Sequence, residues 1–288
     1  MPQPWQAIAQ RFCSITYVRF VRKKTFAYLL PWLVWTFVVR GLIFGQTSYL
    51  DIKFVMFNMD SGYWFLFTLW TIVMVYGLAQ FLSGCICKQK NKYRKLITFT
   101  VFYLLGMIGL VAVGLVTGLA FLGIKLTLYY MPFYYVGFLF GQFDAKLFEY
   151  KYGDRIKDTT VAVSFACWLA LMARFNFYSI GDDFRGIILR VLASMMGCIA
   201  VCGLVPRLYT SAGGGVLRET GIHSLEIYLT HYLILAMIKL STPPAIQTPE
   251  GILLMSLNFI VTMVIATVTI MLINQNKIMK LILFGKRD

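Results

Sequence analysis

Long, uninterrupted apolar runs recur through nearly the whole of this 288-residue chain, and that feature limits the fold more than any other. A helix needs about 20 apolar residues in a row to cross a bilayer, whereas a crossing strand alternates and needs about half as many. The runs here are continuous rather than alternating. A segment inside lipid must satisfy its own backbone polar groups, so continuous runs imply helices. The sequence therefore predicts an all-α, polytopic membrane bundle of about eight crossings, over 26–45, 63–83, 96–116, 126–142, 159–177, 186–205, 224–240 and 251–273. Composition agrees: 59% of residues are hydrophobic, against about 45–50% in a soluble domain.

The charge follows the same plan. Lysines and arginines number 27 against 12 acidic residues, a formal charge of +15. In a soluble protein that excess would suggest nucleic acid. Here it lies in short segments between apolar runs, such as Lys88, Lys90, Lys92, Arg94 and Lys95, which is the signature of loops facing the cytoplasm. Nucleic acid is thereby excluded as a partner, and the lipid bilayer is the expected one. The basic loops place the chain in the cytoplasmic (plasma) membrane with both termini inside. Residues 1–25 carry Trp5, Ile8, Phe12 and Ile15 at helical spacing among Arg11, Arg19, Arg22, Lys23 and Lys24, and are expected as a basic amphipathic segment on the cytoplasmic surface. They lack the apolar core and cleavage site of a secretory leader. Residues 26–273 form the expected transmembrane domain and 274–288 a basic cytoplasmic tail.

Few residues can carry chemistry. There is no G-x-S-x-G, H-E-x-x-H or dinucleotide fingerprint, and Gly213-Gly214-Gly215 lacks the Lys-Ser/Thr of a phosphate loop. Of the six cysteines, Cys85 and Cys87 form an isolated C-x-C; a structural role is expected for them, and no metal site. The two histidines are His223 and His231. In the run beginning at Ser224, residues Ser224, Tyr228 and His231 recur at i, i+4 and i+7 and so share a helix face. Ionisable groups inside a membrane mark functional sites by default, although hydrogen bonding between helices is an equal reading of this stripe. Arg40, Arg174 and Arg190 lie in apolar sequence toward the external side. They either face a polar cavity or snorkel to the interface.

Four segments resemble the acyltransferase family 3 of integral membrane acyltransferases: the basic stretch leading into Tyr28-Leu-Leu-Pro31-Trp-Leu-Val-Trp35; Gly62-Tyr63-Trp64-Phe65-Leu66; Pro132-Phe133-Tyr-Tyr-Val-Gly137-Phe-Leu-Phe-Gly141; and Gly221-Ile-His223-Ser224-Leu225-Glu-Ile227-Tyr228-Leu229-Thr-His231. The resemblance implies transfer of an acyl group, commonly acetyl, from acyl-CoA as donor substrate, with no permanently bound cofactor. The implied acceptor is a hydroxyl of a cell-surface carbohydrate or lipid-linked sugar. It begins at what is similar to the family's third helix, so the family's first two helices, with the histidine thought to be catalytic, have no counterpart before Phe26. Lys24 matches the first position of the family's Arg-x-x-Arg, and Ala27 stands at the second. Within this sequence His231 is then the base or a supporting group, with Tyr228 and Ser224 on its face. Arg22 and Lys24 are candidates for the CoA phosphates, and Arg40, Arg174 and Arg190 for the acceptor. Two other readings share these helices: a sugar or lipid transporter, which would favour internal repeats that are not evident here, and a non-catalytic scaffold derived from an acyltransferase.

Overall fold

The structure, a computed structural model, describes residues 17–59, 63–86, 92–147, 153–175, 184–209, 214–237 and 248–286. Among these residues every regular element is a helix. In chain order they are α1 (Tyr17–Ile43), α2 (Ile52–Phe57), α3 (Trp64–Ile86), α4 (Lys92–Thr117), α5 (Ile124–Leu147), α6 (Gly153–Arg174), α7 (Phe184–Tyr209), α8 (Gly214–Ile222), α9 (Ser224–Met237), α10 (Pro249–Asn274) and α11 (Lys277–Phe284).

Six of them, α1, α3, α4, α6, α7 and α10, are long and apolar enough to cross a membrane. The protein is a polytopic helical membrane protein. Two of the eight expected crossings fall outside that set for identifiable reasons. Helix α5 is 24 residues long, but Lys125, Tyr129, Tyr130, Tyr134 and Tyr135 dilute its apolar content. Helix α9 is described over 14 residues, and the remainder of its expected span, 238–240, lies outside the described residues. Residues 1–16, Cys87, the basic loop at 88–91, and the connections at 176–183, 210–213 and 241–247 also lie outside them.

The first boundary differs from expectation. Tyr17–Lys24 is continuous with the first crossing instead of ending before it. Two of its aromatic residues rest on α3: Tyr17 stacks on Phe81 at 5.5 Å, and Phe20 fills the space over Gly77, where a Cβ would come within 2.2 Å of its ring. Within α1 the turns widen to π-helix over Thr25–Leu29 and Val34–Ile43, on either side of Pro31. Proline lacks an N–H and its ring crowds the carbonyl four residues back, so the helix around it cannot keep regular α spacing.

The chain divides into two compact units, residues 129–221 with 1–7, and residues 8–128 with 222–288. In the first, α6 and α7 pack along each other. Gly197 sits against the Trp168 indole, 3.2 Å from where a Cβ would lie, and Gly203 against Val161, where an added Cβ would collide at 2.0 Å. Tyr129 and Ser194 share a hydroxyl–hydroxyl hydrogen bond of 3.2 Å.

The second unit holds a core of Trp32, Trp35 and Val39 from α1, Tyr49, Val55 and Met59 from the α1–α3 connection, Tyr63, Leu66 and Phe67 around the start of α3, Leu229 from α9, Ile270 and Ile273 from α10, and Phe284 from α11. Gly114 and Gly118 shape the turn after α4: Gly118 takes φ +94, and Gly114 makes room for Leu119 and Ile124. The segment expected as a tail is, over Lys277–Phe284, a helix docked on α1 and α9. Asn276 starts it by accepting hydrogen bonds from the amides of Ile278 and Met279, and Phe284 at its end is fully buried.

Candidate functional site

Helix α9 organises the second unit's polar interior. Its Glu226, Leu229 and Thr230 are buried, Tyr228 and His231 half-buried, and Ser224 exposed at the first helical residue. The His231 Nδ1 lies 3.0 Å from the carbonyl oxygen of Ile227, one turn back. A carbonyl only accepts, so this bond puts the ring proton on Nδ1 and leaves the lone pair on Nε2. The Tyr228 ring lies 5.7 Å from the His231 ring and meets Phe65 edge-on at 5.3 Å. The expected face therefore pairs Tyr228 with His231. Ser224, seven residues before His231, stands about 10 Å away along the axis and does not join them.

Tyr63 connects this pair to α1. Its ring meets Tyr228 at 6.4 Å, Tyr232 at 5.6 Å and Trp35 at 5.5 Å, and its hydroxyl is buried without a hydrogen-bond partner among the described residues. Arg40 lies beside it and is only 6% exposed. Its guanidinium sits 3.9 Å over the Tyr49 ring and 4.9 Å from that of Tyr232, and its Nε donates to the Gln46 side-chain oxygen at 3.0 Å. A cation removed from water is held here by two aromatic faces and a neutral acceptor. This decides between the two expectations for Arg40: it is a buried member of the polar interior and not a side chain snorkelling to the interface.

Arg40→Ala is expected to lower stability by about 2 kcal/mol, the scale of a desolvated cation–π contact, and Arg40→Lys by about half as much because the planar stack is lost. Thermal unfolding of the purified protein in detergent measures both.

The other predicted residues lie elsewhere. Arg22 is exposed on the first turns of α1, and Lys24 places its ammonium 5.4 Å from the Tyr28 ring. Arg174 is the exposed last residue of α6 and Arg190 is half-buried in α7, both in the unit that does not contain Arg40. Cys85, Cys167, Cys198 and Cys202 are exposed free thiols.

Sequence reasoning missed Tyr49, Gln46 and Tyr232, whose roles follow from proximity to Arg40 across a turn and a distant helix. It also left Glu226 without a role, although a carboxylate in the first turn of an apolar helix demands a partner.

A family model described as an acyltransferase domain matches residues 7–274, nearly the whole chain. The chain belongs to this acyltransferase family. The match covers all four segments that carry the resemblance, and it takes in both α1 with Arg40 and α9 with His231. No curated protein and no solved structure matches. In this membrane acyltransferase both histidines, His223 and His231, lie within the Gly221–His231 segment.

Proposed function

We propose that this acyltransferase moves an acyl group, acetyl in the simplest case, from acyl-CoA to a hydroxyl of a cell-surface carbohydrate or lipid-linked sugar. In this reading it works in the cytoplasmic membrane with both termini inside. The observation that carries the chemical assignment is the bond from His231 Nδ1 to the Ile227 carbonyl. It leaves Nε2 as a base, and attack by a hydroxyl on a thioester needs a base near the acceptor.

The acceptor oxygen attacks the thioester carbonyl as Nε2 removes its proton. The carbon–sulfur bond then breaks, and the CoA thiolate leaves and takes up the proton. Tyr228 holds the imidazole from one side, and the Tyr63 hydroxyl is a donor within the same cluster. Ser224 is assigned to the entrance of this face. Arg22 and Lys24 on the first turns of α1 suit the CoA phosphates, which lysine meets as a point charge and arginine as a fork. Arg40 is assigned to the acceptor; Arg174 and Arg190 belong to the other unit and are left out of this site.

The test is transfer of label from [14C]acetyl-CoA to hydroxyl acceptors by protein reconstituted in liposomes, with free CoA thiol measured in parallel. Acceptor-dependent label transfer with matching thiol release supports the reading. Movement of a labelled sugar or lipid across the bilayer with no consumption of acetyl-CoA would replace it with transport.

A further inference from the structure

Glu226 has no exposed surface, and each of its carboxylate oxygens meets a different side-chain nitrogen. Oε2 lies 2.8 Å from His223 Nδ1 and Oε1 lies 2.8 Å from Lys286 Nζ. A carboxylate taken out of water without partners is strongly destabilising, so these contacts are a condition for the first turn of α9 to sit where it does. His223 and Lys286 keep about a third of their side-chain surface exposed, so the carboxylate is the fixed group and the two side chains reach in to it.

Lys286 Nζ, ion-paired with Oε1 without a hydrogen bond to it, donates to the carbonyl of Ile222, the last residue of α8, at 3.2 Å. One ammonium thus serves a carbonyl at a helix C-terminus and an anion at the next helix's N-terminus, and both placements match the helix dipoles. Because Lys286 already neutralises Glu226, the cluster is a charge-balanced anchor. It is not an uncompensated carboxylate–imidazole pair of the kind that makes a base.

Lys286 is held in place by the helix before it. Trp35 on α1 donates its indole N–H to the Leu283 carbonyl at 2.7 Å, Phe284 is buried in the core, and Gly285 ends the helix against the backbone of Phe26 and Ala27. Residues 277–286 lie beyond the span matched by the family model.

The first turn of α9 also holds the carbonyl that orients His231. The carbonyl of Glu226 accepts from Thr230 Oγ1 at 2.9 Å, and the carbonyl of the next residue, Ile227, accepts from His231. If that turn frays, the acceptor that orients His231 moves with it.

We propose that the C-terminal helix is a clasp, and that Lys286, acting through Glu226, is a positioning residue that fixes the first turn of α9 and so the orientation of His231. The catalytic part of this inference rests on the acyl-transfer reading given above; the clasp itself does not.

The test uses the full chain reconstituted in liposomes, with Lys286→Met, Lys286→Arg, Glu226→Gln and the double variant Glu226→Gln/Lys286→Met. Amide exchange over residues 224–231 is measured alongside acetyl transfer. Lys286→Met leaves a buried carboxylate short of a partner, and exchange over 224–231 should rise at least tenfold while α4 and α10 are unchanged. Acetyl transfer should lose tenfold or more in kcat with KM for acetyl-CoA within twofold, and Lys286→Arg should recover both to within threefold. The double variant removes both charges and should keep wild-type thermal stability. It should nevertheless retain the kcat defect, because no ionic contact then holds the first turn of α9 to the end of α11. Unchanged exchange in Lys286→Met, or wild-type kcat in the double variant, overturns the proposal. If the wild-type protein transfers no acetyl group, the acyl-transfer reading fails and the exchange measurement alone decides the clasp.

Discussion

His231→Gln is expected to reduce acyl transfer by a factor of about 10² to 10⁴, the range associated with removing a positioned general base. Glutamine fills similar space and can still donate an amide hydrogen to the Ile227 carbonyl, but it offers no basic nitrogen where Nε2 stood. The side chain is half-buried beside Tyr228 and outside the unit's fully buried core, so stability should change by less than about 1 kcal/mol. Loss of transfer with an unchanged melting curve therefore separates chemistry from folding. The measurement is initial rate of label transfer in liposomes at saturating acetyl-CoA. A variant that keeps more than about a third of the wild-type rate would remove His231 from the base role and leave it a supporting residue.

Gly285→Ala should produce the largest loss of stability from a single methyl group. Two independent demands meet at this position. Its φ of +64 lies in the left-handed region that penalises any side chain, and an added Cβ would lie 2.5 Å from the Ala27 carbonyl oxygen and 2.7 Å from the Ala27 Cα. The obstacle is backbone, so no rotamer change relieves it. The left-handed conformation and the overpacking together cost about 2–5 kcal/mol. Gly45 is the control. It has nearly the same φ, +65, with nothing within 4 Å of the added Cβ, so Gly45→Ala should show the conformational part alone, about 1 kcal/mol. Thermal unfolding of both variants in the same detergent gives the comparison. Equal losses would show that the contact with α1 contributes nothing.

Fold class was legible because bilayer thickness forces a length on each apolar run, and that length is read directly from residues such as 251–273. The break before Ser224 was legible as well, since Glu219–His223 interrupts the apolar pattern where α8 ends and α9 begins. The candidate site was legible only along one helix. The i, i+3 spacing of Tyr228 and His231 predicts a contact that the structure has, whereas Ser224 shares their face and still stands two turns away. The Arg40 cage was not readable, because Tyr49 and Tyr232 approach it through a turn and through a helix nearly two hundred residues on. Charge counting gives Lys286 no partner: a lysine among Lys277, Lys280 and Arg287 reads as part of a basic tail, and its contact with Glu226 comes from the fold.

The indole–carbonyl bond between Trp35 and Leu283 joins residues 248 positions apart. At an elongation rate of about 5–20 residues per second, the first crossing enters the bilayer roughly 10–50 s before its partner has been synthesised. Through that interval the widened helix around Pro31 and the ring of Trp35 can be shielded only by lipid, by the insertion machinery or by α3. Docking of α11 on α1 therefore waits until every described crossing has been synthesised.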